Sequence, residues 1–318
     1  MIAFFANIFG YILNFIYNIV QNYGWSIIIF SILMKLLMLP ISINQQKTMK
    51  KQAILSEKLK EIKIKYKNNI EKQNQETMEL YKTEKVNPFG GCITVIVQII
   101  LLFAVFYLVR SPLTYMRKVD NNVIDKYTKI MEQNELTDQK SAYKEIELIR
   151  EIDNIRNLKS QEVKPEESTE ENNSSDENSE KIEVSEIKDE ELDSLKINMD
   201  FFGLNLAQIP SKNQDWKAYI IPVLYVLVSI LSMKIVNSTN PAMNNKKKDD
   251  NKENNSEEDF DPMVQMNKNM TFMMPIMYVL VALVAPLGLA LYWLMNSLLM
   301  IVEKLALNKL FKDEEEEQ

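Results

Sequence analysis

Lys35 is the residue with the clearest chemical potential in this chain. It lies ten positions after Trp25 and eight before Ile43, inside a continuous apolar stretch. If that stretch crosses a membrane, the Lys35 Cα belongs close to mid-bilayer. Translocon-type scales make a central lysine unfavourable by roughly 2.5–3.5 kcal/mol. A cost of that size calls for water or polar partners, and an ammonium so placed can attract carboxylates reversibly. Ser31 stands one turn before Lys35 and Ser42 two turns after it, on the same helical face. Gln98, Ser229, Ser232, Asn296 and Ser297 bring polar groups to other apolar stretches and could share that interior. Lys217, Lys234 and Glu303 fall near the ends of apolar stretches, so Lys35 is expected to have no carboxylate mate. The plainer reading is that Lys35 snorkels, or pairs only with backbone and hydroxyl groups to fix helix packing.

Composition narrows the alternatives. The chain has no histidine and a single cysteine, Cys92. Ser-His and Cys-His nucleophile pairs, imidazole metal sites and Cys-rich zinc sites are therefore out. Neither a Gly-x-x-x-x-Gly-Lys-Ser/Thr nor a Gly-x-Gly-x-x-Gly segment occurs, which removes the usual phosphate cradles. The chain reads as a non-enzyme that needs no cofactor or metal. Its 18 methionines, among them Met270, Met273, Met274 and Met277, suit deformable packing or promiscuous apolar contact better than a thioether metal site.

The elements that must position Lys35 come from the uneven spread of apolar and charged residues. Apolar blocks suggest spans at residues 24–43, 92–109 and 216–236, and a fourth block covers Met270 to Val302. That block is too long for one comfortable span. Pro286-Leu287-Gly288 can reverse the chain near its middle, and lysines flank both of its ends. It therefore divides into spans at 270–285 and 287–305. Residues 44–91 form a basic segment in which Leu55, Leu59, Ile62 and Tyr66 make one helical stripe. With a turn at Asn68-Asn69 this predicts a cytosolic helical hairpin. Its lysines are either simply solvated or in contact with anionic headgroups, ribosomal RNA or a nascent chain.

Residues 120–200 carry 24 acidic and 11 basic side chains, and the run Glu166–Asp176 is almost free of apolar groups. The extracytoplasmic loop 110–215 is thus expected to hold an acidic, largely disordered insert. Within it, Ile149, Ile152, Ile155 and Leu158 suggest an amphipathic helix over 140–159. Residues 237–269 read as a cytosolic polar loop and 306–318 as a cytosolic acidic tail. Asn7, Asn14, Asn18 and Gln21 give residues 1–21 a polar stripe, which fits an interfacial helix; a sixth span is the competing reading and would invert every loop. Trp25, Tyr23, Trp216 and Tyr219 look like interface anchors. The fold class is all-α, a polytopic membrane protein with five transmembrane helices around a hydrophilic groove, an interfacial N-terminal helix and a cytosolic helical hairpin. The positive-inside rule puts the N-terminus outside and the C-terminus in the cytosol.

Several segments together resemble the YidC-type membrane protein insertases. Trp25 through Lys35 to Leu39-Pro40-Ile41-Ser42 is similar to that family's opening helix. Val86-Asn87-Pro88-Phe89-Gly90-Gly91-Cys92, followed by Gln98, is its most specific signature here. Phe202-Gly203-Leu204, Asp261-Pro262-Met263, Met270–Pro275 and Pro286–Trp293 also match, in the family's order. The resemblance covers roughly residues 1–118 and 197–312. It implies a five-helix core with a groove open to cytosol and lipid, lined by Lys35, Ser31, Gln98, Tyr292, Trp293 and Asn296 as the substrate-binding residues. Lys35 takes the place of a family arginine, retaining charge without the bidentate fork.

The implied partners are nascent membrane proteins and the lipid bilayer, with the ribosome and the Sec translocon as further candidates and no sequence-specific nucleic acid. The implied location is the bacterial cell membrane. A small-solute or ion transporter with Lys35 in its pathway is the rival class, although no inverted repeat or second buried charge is evident in the sequence. Single cysteines placed at Lys60 and Glu170 are expected to react with a membrane-impermeant thiol reagent from opposite sides; labelling from one side would overturn this topology.

Overall fold

A computed structural model of the chain describes residues 1–84, 90–137, 141–162, 186–212, 215–239, 280 and 282–316. Within them it is almost entirely helical: α1 (Ile2–Val20), α2 (Tyr23–Lys65), α3 (Ile70–Thr83), α4 (Gly90–Arg110), α5 (Asn121–Gln133), α6 (Lys144–Glu162), α7 (Asp189–Leu195), α8 (Ile220–Thr239) and α9 (Leu287–Glu316). Two short strands, β1 (Asp200–Phe201) and β2 (Leu204–Asn205), pair antiparallel. Among the described residues four stretches are long and apolar enough to cross a membrane: Ile2–Val20, Tyr23–Thr48, Trp216–Ile235 and Leu287–Leu310. Most of the expected span at 270–285 and most of the polar loop before it lie outside the described residues, as does the Glu166–Asp176 run.

The helices are longer than their apolar cores. α2 does not end at Ile43 but runs on to Lys65, with Pro40 inside it. α9 likewise passes residue 305 and continues to Glu316. Proline removes one backbone donor, yet the flanking turns can carry a helix through such a gap. A hydropathy window detects the end of an apolar stretch, whereas the backbone stops only where capping or turn chemistry stops it. For α2 that point is the turn over residues 66–69, after which Asn69 caps α3 by accepting from the Lys72 N–H at 3.0 Å. Tyr66 donates to Glu76 at 3.0 Å, and Lys58 pairs with Glu84.

The chain divides into two compact units. The first comprises Met1–Phe30, Phe103–Pro222 and Ala282–Tyr292; the second comprises Ser31–Leu102, Val223–Val281 and Trp293–Gln318. In the first unit, α1 buries Ala6, Phe9, Gly10, Leu13, Ile16 and Tyr17, an apolar stripe at helical spacing. It packs on a single π-helical turn, Leu113–Arg117. The approach at Gly10 is so close that a Cβ there would meet the Tyr115 carbonyl oxygen at 1.9 Å. Of the polar stripe expected on α1, Asn7 and Asn18 are exposed, but the Asn14 Oδ1 is buried without a hydrogen-bond partner among the described residues. Phe4, Tyr11, Phe15 and Ile19 are also exposed, so the outer face of α1 is mainly apolar.

Tyr23 is not an interface anchor: it is fully buried. Its ring lies where a Cβ on Gly288 would meet it at 3.3 Å. The first N–H groups of α9, which have no partner within the helix, donate instead to carbonyls before the third span: Leu287 N–H to Gln208 O and Gly288 N–H to Leu206 O, both at 2.9 Å.

The acidic insert is helical on either side of the Glu166–Asp176 run, which lies outside the described residues. Its described flanks fold into α5, α6 and α7, and these bury Ile124, Tyr127, Ile130, Met131, Ile149, Ile152, Ile155, Leu192 and Leu195. The acidic residues fall mostly between these apolar positions, so net charge overstated the polarity of the segment. Two carboxylates are nevertheless buried. Glu145 accepts from the Leu113 and Thr114 N–H groups at 2.8 and 3.0 Å and from the Thr114 hydroxyl at 2.7 Å. Burial still pushes its carboxyl above the ordinary value. Glu147 accepts from Lys212 at 3.0 Å and from Thr137, beside an open cavity of about 620 Å³. Burial pushes Glu147 up too, but hydrogen bonds from Thr137, Lys212 and Ser141 outweigh it and hold the carboxyl below the ordinary value.

The two groups therefore act in opposite senses. Glu147, depressed in the folded state, contributes stability above its unfolded pKa and loses it as pH falls through the folded value. Glu145, raised, favours the fold at low pH and loses that contribution as pH rises through its folded value. Lys212→Met removes a donor from Glu147 only. It is expected to lower the thermal midpoint of the full-length protein in detergent at neutral pH, with the difference from wild type shrinking toward about pH 3. A pH-independent difference would show that Lys212 acts through packing.

Candidate functional site

The second unit gathers the polar side chains of the apolar helices. Lys35, on α2, forms an ion pair with Glu303, on α9, with 2.5 Å between Nζ and Oε2. The lysine side chain is 22% exposed and the glutamate side chain 7%. This overturns the expectation that Lys35 lacks a carboxylate mate. The sequence places Glu303 near the end of a span closing at 305, within reach of the interface; in a helix that continues to Glu316 it is an interior residue instead. Its second oxygen, Oε1, is buried and has no hydrogen-bond partner among the described residues.

Next along α9, Lys304 donates to Gln46 Oε1 at 2.8 Å. Gln46, on α2, is 5% exposed. Spacing alone places Gln46 in the basic hairpin and Lys304 at the flank of a span, so it does not reveal their contact. Ser31 is buried one turn before Lys35. Ser229 and Ser297 place their hydroxyl oxygens 3.4 Å apart across α8 and α9, both buried. Ser232 is 1% exposed, and its hydroxyl has no partner among the described residues.

The remaining expected residues divide. Trp293 is half-buried and lies against Tyr225, with ring centroids 5.9 Å apart at 32°. Asn296 is exposed. Gln98 lies within α4, and nothing is described of its side chain. Tyr292 belongs to the first unit, where it is buried. The structure therefore couples Lys35 to a residue absent from the expected set, while Trp293 is engaged with Tyr225. A long cation and a buried acid on two apolar helices can hold or exchange a counter-charge.

These features fit a mostly helical, multi-pass membrane protein with an ion pair set between two of its apolar helices. A sequence model of the 60Kd inner membrane protein family matches residues 15–315, and the chain belongs to that family. It is 45% identical over 102 residues to the membrane protein insertase YidC of Fusobacterium nucleatum, covering 32% of this chain and 50% of that protein. It is 39% identical over 109 residues to the YidC of Caldanaerobacter subterraneus, covering 34% and 53%. The YidC of Chlorobium limicola is 48% identical over 94 residues, 30% of this chain and 16% of that one. The chain thus spans about half the length, or less, of the curated relatives it matches. The family and the four apolar helices support a multi-pass protein of the bacterial inner membrane.

Removing one member of a buried ion pair strands the other charge. Lys35→Met is expected to lower stability by about 3 kcal/mol, whereas Lys35→Met with Glu303→Leu recovers most of that loss. Thermal unfolding of the two variants checks this, and equal losses in both would show that the ion pair is not the source of the cost.

Proposed function

We propose that this chain is a membrane protein insertase that moves short polar tails of nascent membrane proteins into and across the bilayer along a hydrophilic intramembrane groove. The observation that carries the reading is Lys35, a cation on the second apolar helix of a family member, among buried serines and a buried acid. Moving a polar tail through hydrocarbon costs several kcal/mol for each unsatisfied group or charge. A polar path part-way into the membrane shortens the dry distance. A single ammonium then attracts acidic tail residues weakly enough to release them. In this reading Ser31, Gln98, Trp293 and Asn296 line the path with Lys35. α1 lies in the outer interface, the α2–α3 segment faces the cytosol, and the C-terminus is cytosolic. Ribosomes and the Sec translocon are further partners in this reading.

A transporter remains the rival, and the Lys35–Glu303 pair gives it the second buried charge that the sequence had not suggested. Depletion of the protein separates the two: an insertase leaves small, acidic-tailed membrane proteins unintegrated, whereas a transporter produces solute flux in purified vesicles. Lys35→Arg, which keeps the charge and can keep the pair, is expected to retain insertion. Lys35→Gln is expected to lower insertion of acidic-tailed clients several-fold while sparing neutral ones. Lys35→Glu is the poorer test, because it would set two carboxylates against each other. Normal insertion of acidic-tailed clients by Lys35→Gln would remove the charge from the mechanism.

A further inference from the structure

We infer that Glu303 is a specificity-determining residue: a competitor, built into this chain, for the carboxylates that Lys35 receives. The inference rests on the insertase reading for the nature of the client. Glu303 presents to Lys35 the same chemical group that an aspartate or glutamate of an incoming polypeptide would present, at 2.5 Å and almost wholly out of solvent. A client carboxylate therefore meets an ammonium that is already neutralised, and it is held only to the extent that it displaces or shares with Glu303. Neutral amides and hydroxyls bring no charge to that exchange and leave the pair as it is.

The second observation is the unmet acceptor. Glu303 Oε1 is buried with no hydrogen-bond partner among the described residues. Buried carboxylates in a purely structural bridge usually have both oxygens satisfied, because a buried acceptor left without a donor is destabilising. The closed pair is thus less favourable than any arrangement in which water reaches Oε1. This lowers the barrier to exchange without removing the pair. The nearest cation along α9, Lys304, donates to Gln46 and so has a role of its own. Lys35 and Glu303 together make a site of no net charge that selects for carboxylates yet releases them, a property that an isolated lysine would lack.

The test uses the purified full-length chain in lipid nanodiscs and two synthetic peptides, each an apolar helix with a short polar tail. One tail carries a single aspartate and the other an asparagine at the same position. Glu303→Gln is expected to tighten binding of the aspartate peptide roughly tenfold, chiefly through slower release, and to leave the asparagine peptide unchanged. Glu303→Asp, which keeps the charge on a shorter arm, is expected to give a smaller increase of the same sign and serves if Glu303→Gln fails to fold. Unchanged affinity for the aspartate peptide, or equal changes for both peptides, would overturn the inference. Insertion of a single-span client into vesicles is followed in parallel with the wild-type chain. Failure there removes the insertase reading, while the aspartate-to-asparagine affinity ratio reports on Glu303 in either case.

Discussion

A charged amine in the middle of an apolar helix must be met by an opposite charge or by water, and Glu303 is what meets Lys35. That constraint fixes more than one side chain. For the two groups to come within hydrogen-bonding distance, α2 and α9 must keep a particular register, and α9 must remain helical beyond the end of its most apolar stretch. The neighbouring Lys304–Gln46 contact ties the same two helices a second time. A buried pair of this kind is weak evidence for stability, since hydrophobic replacements often match it. Its presence here is better explained by what it permits, a counter-ion that can be exchanged.

The first unit meets the opposite demand. There the backbone has to be satisfied where helices begin and end. The start of α9 donates to carbonyls of Leu206 and Gln208, and Tyr23 N–H donates to Asn198 O at 3.0 Å. The π-turn takes its acceptor from Glu145. Burial holds the Glu145 carboxyl above the ordinary value even though it accepts hydrogen bonds from Leu113 and Thr114. The insert that looked like an acidic appendage thus supplies a ligand for the backbone of the turn under α1.

Much of this was legible in the residues themselves. The apolar stripe Ile149, Ile152 and Ile155 is the buried face of α6, and the break at Pro286 does precede a helix. Lys35 stood out because a cation in an apolar run is costly wherever the run folds. Glu303 did not, because the acidic tail and flanking lysines made it look like one more terminal charge. Its partnership with Lys35 follows from helix register, which the residues alone do not show. Tyr23 and Gly288 lie side by side, and Lys35 and Glu303 follow them by 12 and 15 residues. At about 1.5 Å per residue the two therefore differ in depth by only ~5 Å, within the reach of two long side chains.

The sequence by itself determined the class of this protein: helical and membrane-crossing, with one lysine whose placement requires a polar environment. Periodicity, charge partition and the cost of burying charge depend on residue type and spacing, and both are written along the chain. Which acid faces that lysine, and that Tyr23 is core rather than interface, was decided only by tertiary structure. Each depends on the register between helices distant in sequence, and that register is set by the packing and backbone hydrogen bonds of all of them together.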